Sequence, residues 1–288
     1  MKKIIKKLVE KHNNTKLSYS IQLPYFRGLF IITRRFRQKI KNLKYKISKI
    51  KWNYKKYINV RHQSVLMRKL WDVDMKLQEN KVVNVKLAIE KLDWIIINPW
   101  EVFSFWELIW KPSYKKWYLD WIVINHWWVS SWVWGWLCQL SNLLYWMFLH
   151  LDVEIIERHR HSYDIFPDSW RVLPFASGAT VFYNYVDLKV KNTLKYPIQI
   201  KLWTDEKYLK WQILSDFPRI EKFHVYEKFH TFIKNNNKYF RYNLINREKI
   251  ISWKKVLDEN ILENFSPVKY EVNEDKLKSF WYEILKIK

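Results

Sequence analysis

Apolar and polar residues alternate through much of the second half of the chain. Strict alternation predicts half-buried strands, and it occurs over residues 153–158, 180–190, 198–202 and, in shorter runs, 224–272. The three asparagines at 235–237 predict a hairpin turn within the last stretch. The continuous apolar run from Leu137 to Leu149 predicts a buried helix instead. Together these patterns indicate an α+β fold in which antiparallel strands pack around a central apolar helix.

The first part of the chain carries weaker patterns and is rich in lysine. Residues 4–11 and 30–57 are predicted to be basic helices, the second with a candidate break near Lys51. Residues 62–97 are predicted to be a short helical segment followed by extended chain, with a candidate helix start at 83–88. Strands are predicted at 102–105 and 118–124. We therefore expect a basic helical extension over residues 1–60 and one α+β domain over residues 61–288.

Charge and cysteine content limit which binding partners and which cellular compartment are expected for the chain. The formal net charge of +24 would attract nucleic acid, anionic lipid or wall polymers. No nucleic-acid motif accompanies the charge, so specific nucleic-acid binding is not expected. One cysteine excludes an internal disulfide. The start of the chain is basic but lacks the apolar core of a signal peptide, which predicts a cytoplasmic location, with contact at the membrane surface as an option.

Tryptophan and glycine occur in abnormal numbers. The chain has 19 Trp and 3 Gly, whereas usual composition gives about 7% Gly, roughly 20 in a chain of this length. Four tryptophans follow Asp, Pro or Ser, where glycine would complete a common turn signal: Trp94, Trp100, Trp121 and Trp170. Our hypothesis is that the source reads the UGA codon as glycine. The alternative is a protein that is truly rich in tryptophan.

The hypothesis need not apply to every tryptophan, and it changes the membrane prediction. Trp106, Trp146 and Trp203 lie in apolar runs and are expected to be genuine. Residues 121–151 contain no charged side chain, and such a stretch is long enough to span a bilayer. With glycine at Trp127, Trp128, Trp132, Trp134 and Trp136, only residues 137–149 stay helical, and they are too few to span. No transmembrane segment is therefore predicted.

Several ordered motifs give the chain a family resemblance. They are N-P-W-E-V-F-S-F-W at 98–106, W-G-W-L-C-Q-L-S-N-L at 134–143, E-R-H-R-H-S at 157–162, S-G-A-T-V at 177–181 and Y-V-D-L at 185–188. Over roughly residues 62–272 the chain resembles the VanW family, the accessory proteins named after vancomycin-resistance gene clusters. One departure is Gly178, where longer members usually carry an aspartate. The resemblance implies a role in glycopeptide resistance or the cell envelope, without a defined reaction.

Independently of the family, one set of residues has the composition of a cysteine enzyme. Cys138 would lie in the first turn of the apolar helix, where free N–H groups and the helix dipole stabilise a thiolate. His159 and His161 alternate on a predicted strand and so share one face. Asp187 follows on the next strand. The hypothesis assigns Cys138 as nucleophile, His161 as base and Asp187 as its orienting carboxylate, acting on an amide or ester such as a peptidoglycan-related peptide.

Each of these residues also has a simpler interpretation. A cysteine on an apolar helix is often only a small buried side chain. Arg158, His159 and Arg160 would then form a noncatalytic site for an anionic ligand, since arginine binds carboxylate and phosphate groups well. The spacing of Cys138 from the histidines matches no zinc motif, and neither a P-loop nor a dinucleotide fingerprint is present. No metal and no cofactor are therefore expected, and enzymatic activity stays open.

Overall fold

A computed structural model describes residues 2–13, 27–51, 55–67, 75–125, 128–132, 137–165, 167 and 172–287. Its helices are α1 (Lys2–Asn13), α2 (Arg27–Leu43), α3 (Met75–Leu92), α4 (Phe105–Ile109), α5 (Leu137–Phe148) and α6 (Glu274–Ser279). Its strands are β1 (Tyr57–Val65), β2 (Ile96–Ile97), β3 (Val102–Ser104), β4 (Trp121–Asn125), β5 (Trp128–Trp132), β6 (Glu154–Glu157), β7 (Lys189–Lys191), β8 (Ile198–Thr204), β9 (Tyr208–Ser215), β10 (Lys222–Asn235), β11 (Lys238–Ile251), β12 (Lys254–Pro267) and β13 (Ile284–Ile287). Helices and antiparallel sheets occur together, which confirms the predicted α+β class.

The chain divides into two compact units. The first unit comprises Met1–Arg35, Arg160–Ser177 and Glu221–Lys288, and the second comprises Phe36–His159 and Gly178–Ile220. Each unit therefore combines segments that are distant from one another in the sequence. The sequence-based boundary at residue 60 stays a prediction.

The second unit is built on an antiparallel sheet with the strand order β1-β9-β8-β2. Along β8, Ile198, Ile200 and Leu202 are buried, because alternate residues of a strand share one face. Helix α5 contacts β1 and α3, and nine of its twelve residues are buried. A helix that is apolar on most sides belongs in a core, so α5 is the central helix that the sequence predicts.

A smaller sheet of the second unit contains the buried Lys189. Its order is β3-β7-β6, and both pairings are antiparallel. In this register Ser104 of β3 and Glu157 of β6 both lie opposite Lys189 of β7. Directly opposite residues present their side chains on the same face. The sheet therefore brings polar side chains from three strands together.

The first unit consists of long strands in the order β12-β11-β10-β13, with helix α1 packed against them. Ile5 and Val9 of α1 join a buried cluster with Ile233, Phe240 and Phe265. These α1 residues are four apart and so lie on one helix face, which the sheet covers.

A buried ion pair ties Asp164 to this sheet. The Arg241 guanidinium is 3.1 Å from the Asp164 carboxylate, and both side chains are almost fully buried. Arg241 also donates to His230 Nε2 at 2.7 Å. The Asp164 backbone forms a parallel bridge with Val268.

Most of the strongly periodic elements agree with the sequence predictions. The helix at 137–149, the strands at 153–158 and 198–202 and the turn at 235–237 are confirmed as α5, β6, β8 and the β10–β11 hairpin. The strand predicted at 102–105 is confirmed as β3, and β4 covers part of the one predicted at 118–124. Within the described part of the chain, no helix is both long and apolar enough to cross a bilayer.

Three element predictions are wrong. The helix expected over 30–57 ends at Leu43, because the chain beyond it pairs with other segments, as Ile47 does with Val102. Residues 62–65 belong to strand β1 where a helix was expected, whereas the candidate helix start at 83–88 falls within α3. Residues 180–190 do not form one strand, because Phe182 O accepts from the N–H groups of Tyr185 and Val186 and closes a turn.

Candidate functional site

Cys138 is the second residue of α5, and its side chain is half-buried. Its sulfur lies 3.5 Å from Thr180 Oγ1 and 3.7 Å from the carbonyl oxygen of Val181. One turn further along, Ser141 Oγ donates to the carbonyl of Ala179 at 2.6 Å. The first turn of α5 is therefore held against residues 179–181. N–H groups in the first turn of a helix lack partners within the helix and favour negative charge.

The segment that faces α5 approaches it closely at Gly178. A Cβ at this position would lie 2.2 Å from Asn142 Oδ1, a distance that side-chain atoms do not tolerate. Arg158 donates from Nε and Nη2 to the carbonyl of Gly178, at 2.9 and 2.7 Å. Its guanidinium also lies over the Tyr145 ring, 5.2 Å from the centroid. Arg158 thus holds the Gly178 backbone in place beside α5.

Thr180, which contacts Cys138, is also paired with His159. The Thr180 N–H donates to the carbonyl of His159 at 2.8 Å, in an antiparallel bridge. Residues paired in this way present their side chains on one face, with Cβ atoms roughly 5 Å apart. His159 Nε2 lies 3.3 Å from Glu157 Oε1, and the imidazole is 45% exposed. Cys138, Thr180, His159 and Glu157 are therefore neighbours in succession.

Behind Glu157 lies a buried charged group. Lys189 Nζ is 2.9 Å from Glu157 Oε2 and 4.0 Å from Asp187 Oδ2, with its side chain 2% exposed. The Asp187 carboxylate accepts from Ser104 Oγ at 2.5 Å and from the Trp106 N–H at 3.1 Å. The Asp187 N–H in turn donates to Glu157 Oε1 at 3.1 Å. Asp187 contacts the backbone and side chains of the sheet, and it reaches Glu157 through its own backbone.

The two carboxylates of this group differ in how easily they ionise. Burial raises the pKa of Asp187 to about 6, although the Ser104 hydrogen bond and the Lys189 charge both oppose the increase. Burial also disfavours the charged form of Glu157, but the hydrogen bond and charge of Lys189 outweigh it and hold the pKa of Glu157 below its ordinary value. Asp187 therefore changes charge between roughly pH 5 and 7, where Glu157 stays ionised.

The predicted site residues fall into both units. Cys138, Arg158, His159 and Asp187 belong to the second unit, whereas Arg160 and His161 belong to the first. His161 has an exposed side chain.

Arg160 is half-buried, and its Nη1 is buried with no hydrogen-bond partner among the described residues. Burial lowers the pKa of Arg160, against the opposing charge of Glu263. Across the described ranges, no three His, Cys, Asp or Glu side chains come together as a metal site would need.

The sequence did not identify three residues of the candidate site: Glu157, Thr180 and Lys189. A signal for Glu157 was present, because residues two apart on a strand share a face and Glu157 precedes His159 by two. Lys189 and Thr180 could not be recognised in this way. Their places depend on pairings with distant strands.

Comparison with known proteins adds the family. The family model described as "VanW like protein" matches residues 80–214. The chain is also similar to the Vancomycin B-type resistance protein VanW of Enterococcus faecalis (strain ATCC 700802 / V583), with 30% identity over 177 residues. That alignment covers 62% of this chain and 64% of the relative, so the chain spans less than two thirds of the protein it matches. No solved structure matches the chain. The region that matches the VanW-like family model contains Cys138, His159 and Asp187.

Proposed function

We propose that the chain serves glycopeptide resistance at the cell envelope as a cysteine-dependent hydrolase or transferase of an amide or ester. The observation that carries the proposal is the succession of contacts from the Cys138 sulfur through Thr180 to the His159–Glu157 pair. A nucleophile near a base that a third group orients is the arrangement that covalent catalysis requires. The relative's name, with its reference to vancomycin resistance, supports a peptidoglycan-related peptide as the substrate.

The chemistry assigns a step to each residue. His159 takes the thiol proton of Cys138, and the sulfur attacks the substrate carbonyl carbon. The new C–S bond forms as the C–N or C–O bond breaks, and His159 returns the proton to the departing amine or alcohol. Water then cleaves the thioester in a hydrolase, whereas an acceptor amine or alcohol does so in a transferase. The N–H groups of Leu137 and Cys138 stabilise the oxyanion in both steps.

Glu157 orients the base His159, and Asp187 positions Glu157. Glu157 contacts His159 directly and is kept ionised by Lys189. An ionised carboxylate at that position orients the imidazole and stabilises its protonated form. Asp187 positions Glu157 through its N–H. The sequence-based assignment of His161 as base and Asp187 as orienter is the competing arrangement for the same nucleophile.

Alkylation of Cys138 tests the proposal and separates the two histidines. Iodoacetamide is added at pH 6 to the wild type and to the His159→Ala and His161→Ala variants, with Cys138→Ser as the blank. We expect fast alkylation of the wild type, a rate at least about tenfold lower in His159→Ala, and an unchanged rate in His161→Ala. Loss of rate in His161→Ala alone would transfer the role of base to His161. Equally slow alkylation in every variant would exclude a cysteine enzyme.

Slow alkylation would favour a second candidate function, a noncatalytic module for an anionic ligand. The observation behind it is Arg160, whose buried Nη1 has no hydrogen-bond partner among the described residues. A buried guanidinium N–H is costly to leave unpaired, and a carboxylate or phosphate would satisfy it. Of the other predicted contacts, Arg158 already donates to the Gly178 carbonyl, whereas His159 remains half-exposed.

The location that fits either function is the cytoplasm or the cytoplasmic surface of the membrane. The net charge of +24 attracts anionic lipid and anionic precursors of the wall. Contact at such a surface would bring the chain to the compartment where peptidoglycan-related peptides are assembled.

A further inference from the structure

Tryptophan occupies most of the left-handed backbone positions in the described part of the chain. Ten non-glycine residues there have positive φ, and six of them are tryptophan, with φ between 61° and 67°. No described glycine has positive φ. A Cβ crowds the neighbouring backbone in this region, so glycine is the usual occupant and bulky side chains are rare. The six residues are Trp94, Trp100, Trp110, Trp117, Trp253 and Trp281.

Four of the six follow the end of a helix. Trp94 comes two residues after α3, and Trp281 comes two residues after α6. Trp117 closes a short 3-10 helix with a left-handed backbone. Trp110 ends α4 with φ 63° and ψ −172°, a combination that is essentially restricted to glycine. A left-handed residue just beyond a helix is most often glycine.

The other two lie in tight turns whose geometry also selects glycine. The Glu101 N–H donates to the carbonyl of Asn98 at 3.0 Å, with Pro99 second and Trp100 third in the turn. Proline second and a positive φ third define a type II turn, which requires glycine in the third place. Ser252 and Trp253 join β11 to β12, and both have positive φ. Two-residue hairpins of this type favour glycine at the second position.

The indole rings of these residues make little use of their size. Five of them, all but Trp94, are between 53% and 94% exposed. Lysine ammonium groups lie over three of the rings, at Trp94, Trp100 and Trp253, but exposed contacts of this kind are weak.

Other tryptophans behave as that residue usually does. Trp106, Trp146 and Trp211 are at most 8% exposed, and Trp106 Nε1 donates to the carbonyl of Val186 at 2.9 Å. The described residues thus include two groups of tryptophan, one buried in the core and the other at left-handed backbone positions that favour glycine.

We propose that the six left-handed positions carry glycine in the natural protein, because its source decodes UGA as glycine. The same decoding turns Trp134-Gly135-Trp136 into three consecutive glycines directly before α5 and Cys138. Glycine lets a ligand approach the backbone closely. The proposal therefore concerns the sequence around the candidate nucleophile as well as the turns.

The codons and the natural protein test the proposal together. We expect UGA at the six left-handed positions and UGG at Trp106, Trp146 and Trp211. Tandem mass spectrometry of the protein purified from its own source should then show glycine at the six positions and tryptophan at the three. UGG codons at the six positions would overturn the proposal, and so would UGA codons whose peptides contain tryptophan.

Two recombinant variants test the physical reasoning separately. One replaces all six left-handed tryptophans with glycine, and the matched control replaces Trp106, Trp146 and Trp211 with glycine. We expect the melting temperature to rise in the first variant, because backbone strain is released, and to fall in the control, because cavities open in the core. A melting temperature that falls in the first variant would contradict the assignment.

Discussion

Replacing Asp187 with asparagine should make the protein more stable at neutral pH and remove one source of its pH dependence. The carboxylate is buried, and its pKa is about 6 instead of the usual 3.8. The folded chain therefore binds a proton more tightly than the unfolded chain does. Stability from this group is fully present below about pH 4 and is lost as pH rises through 6. The difference of roughly two pKa units corresponds to about 3 kcal/mol.

Urea unfolding of the wild type and the Asp187→Asn variant, followed by circular dichroism between pH 4 and pH 7.5, measures this effect. Asparagine keeps one oxygen, which can accept from the Trp106 N–H as Oδ1 does, and its NH2 group can donate to Ser104 Oγ in place of the bond to Oδ2. We expect the stability of the variant relative to the wild type to increase by about 2 kcal/mol from pH 4 to pH 7, because part of the change already occurs below pH 4. Glu157 has a lowered pKa, so its contribution to stability is lost as pH falls. Both proteins contain Glu157, and this contribution therefore largely cancels when the stability of the wild type is subtracted from that of the variant.

The exposed residue Asp205 provides the control. Its hydrogen bond with Lys210 lowers the pKa of Asp205 to about 2, so its contribution is lost only as pH falls below its ordinary value. The Asp205→Asn variant should therefore show a constant difference from the wild type above pH 5. If the Asp187→Asn difference is equally constant between pH 4 and 7, Asp187 does not titrate in that range and our account of its burial is wrong.

Two further substitutions probe the packing. Gly178→Ala should lower stability by about 1–3 kcal/mol, because the new Cβ would meet Asn142 Oδ1. Scanning fluorimetry should show a smaller loss when Asn142 is also replaced with alanine. An equal loss with and without Asn142 would contradict this explanation. Arg241→Met should cost about 3–5 kcal/mol in urea unfolding, because it leaves the buried Asp164 carboxylate without the positive charge that faces it. Arg247→Met, at a more exposed ion pair, should cost no more than about 1 kcal/mol.

Where the sequence predicted the fold well, local periodicity and burial agreed. Helix α5 and strand β8 have strong patterns, and both bury the side chains that those patterns select. The alternating run at 180–190 failed because Asn184 adopts a left-handed backbone and the chain turns there. Alternation describes which side chains are apolar, but it does not detect a turn that long-range packing stabilises.

The candidate site was predictable only in part, for a related reason. The position of Cys138 at a helix start follows from the apolar run that begins at Leu137. The partners of Cys138 depend on which strands meet. His159 pairs with Thr180 in the second unit, whereas Asp164, five residues later, pairs with Val268 in the first. Alternation alone places His159 and His161 on one face and cannot show that the chain passes between units at that point.

The buried charges behind His159 are informative because they are costly. A sheet that needed only stability would be better served by apolar residues than by Asp187, Lys189 and Glu157. These three nevertheless form a continuous group, and its Glu157 contacts the partly exposed His159. Perturbed ionisable groups are concentrated at functional sites, although structural networks also produce them. The Asp187→Asn variant separates these cases. If it is more stable but Cys138 is alkylated more slowly, the group exists to position His159; if the alkylation rate is unchanged, the group is only part of the sheet.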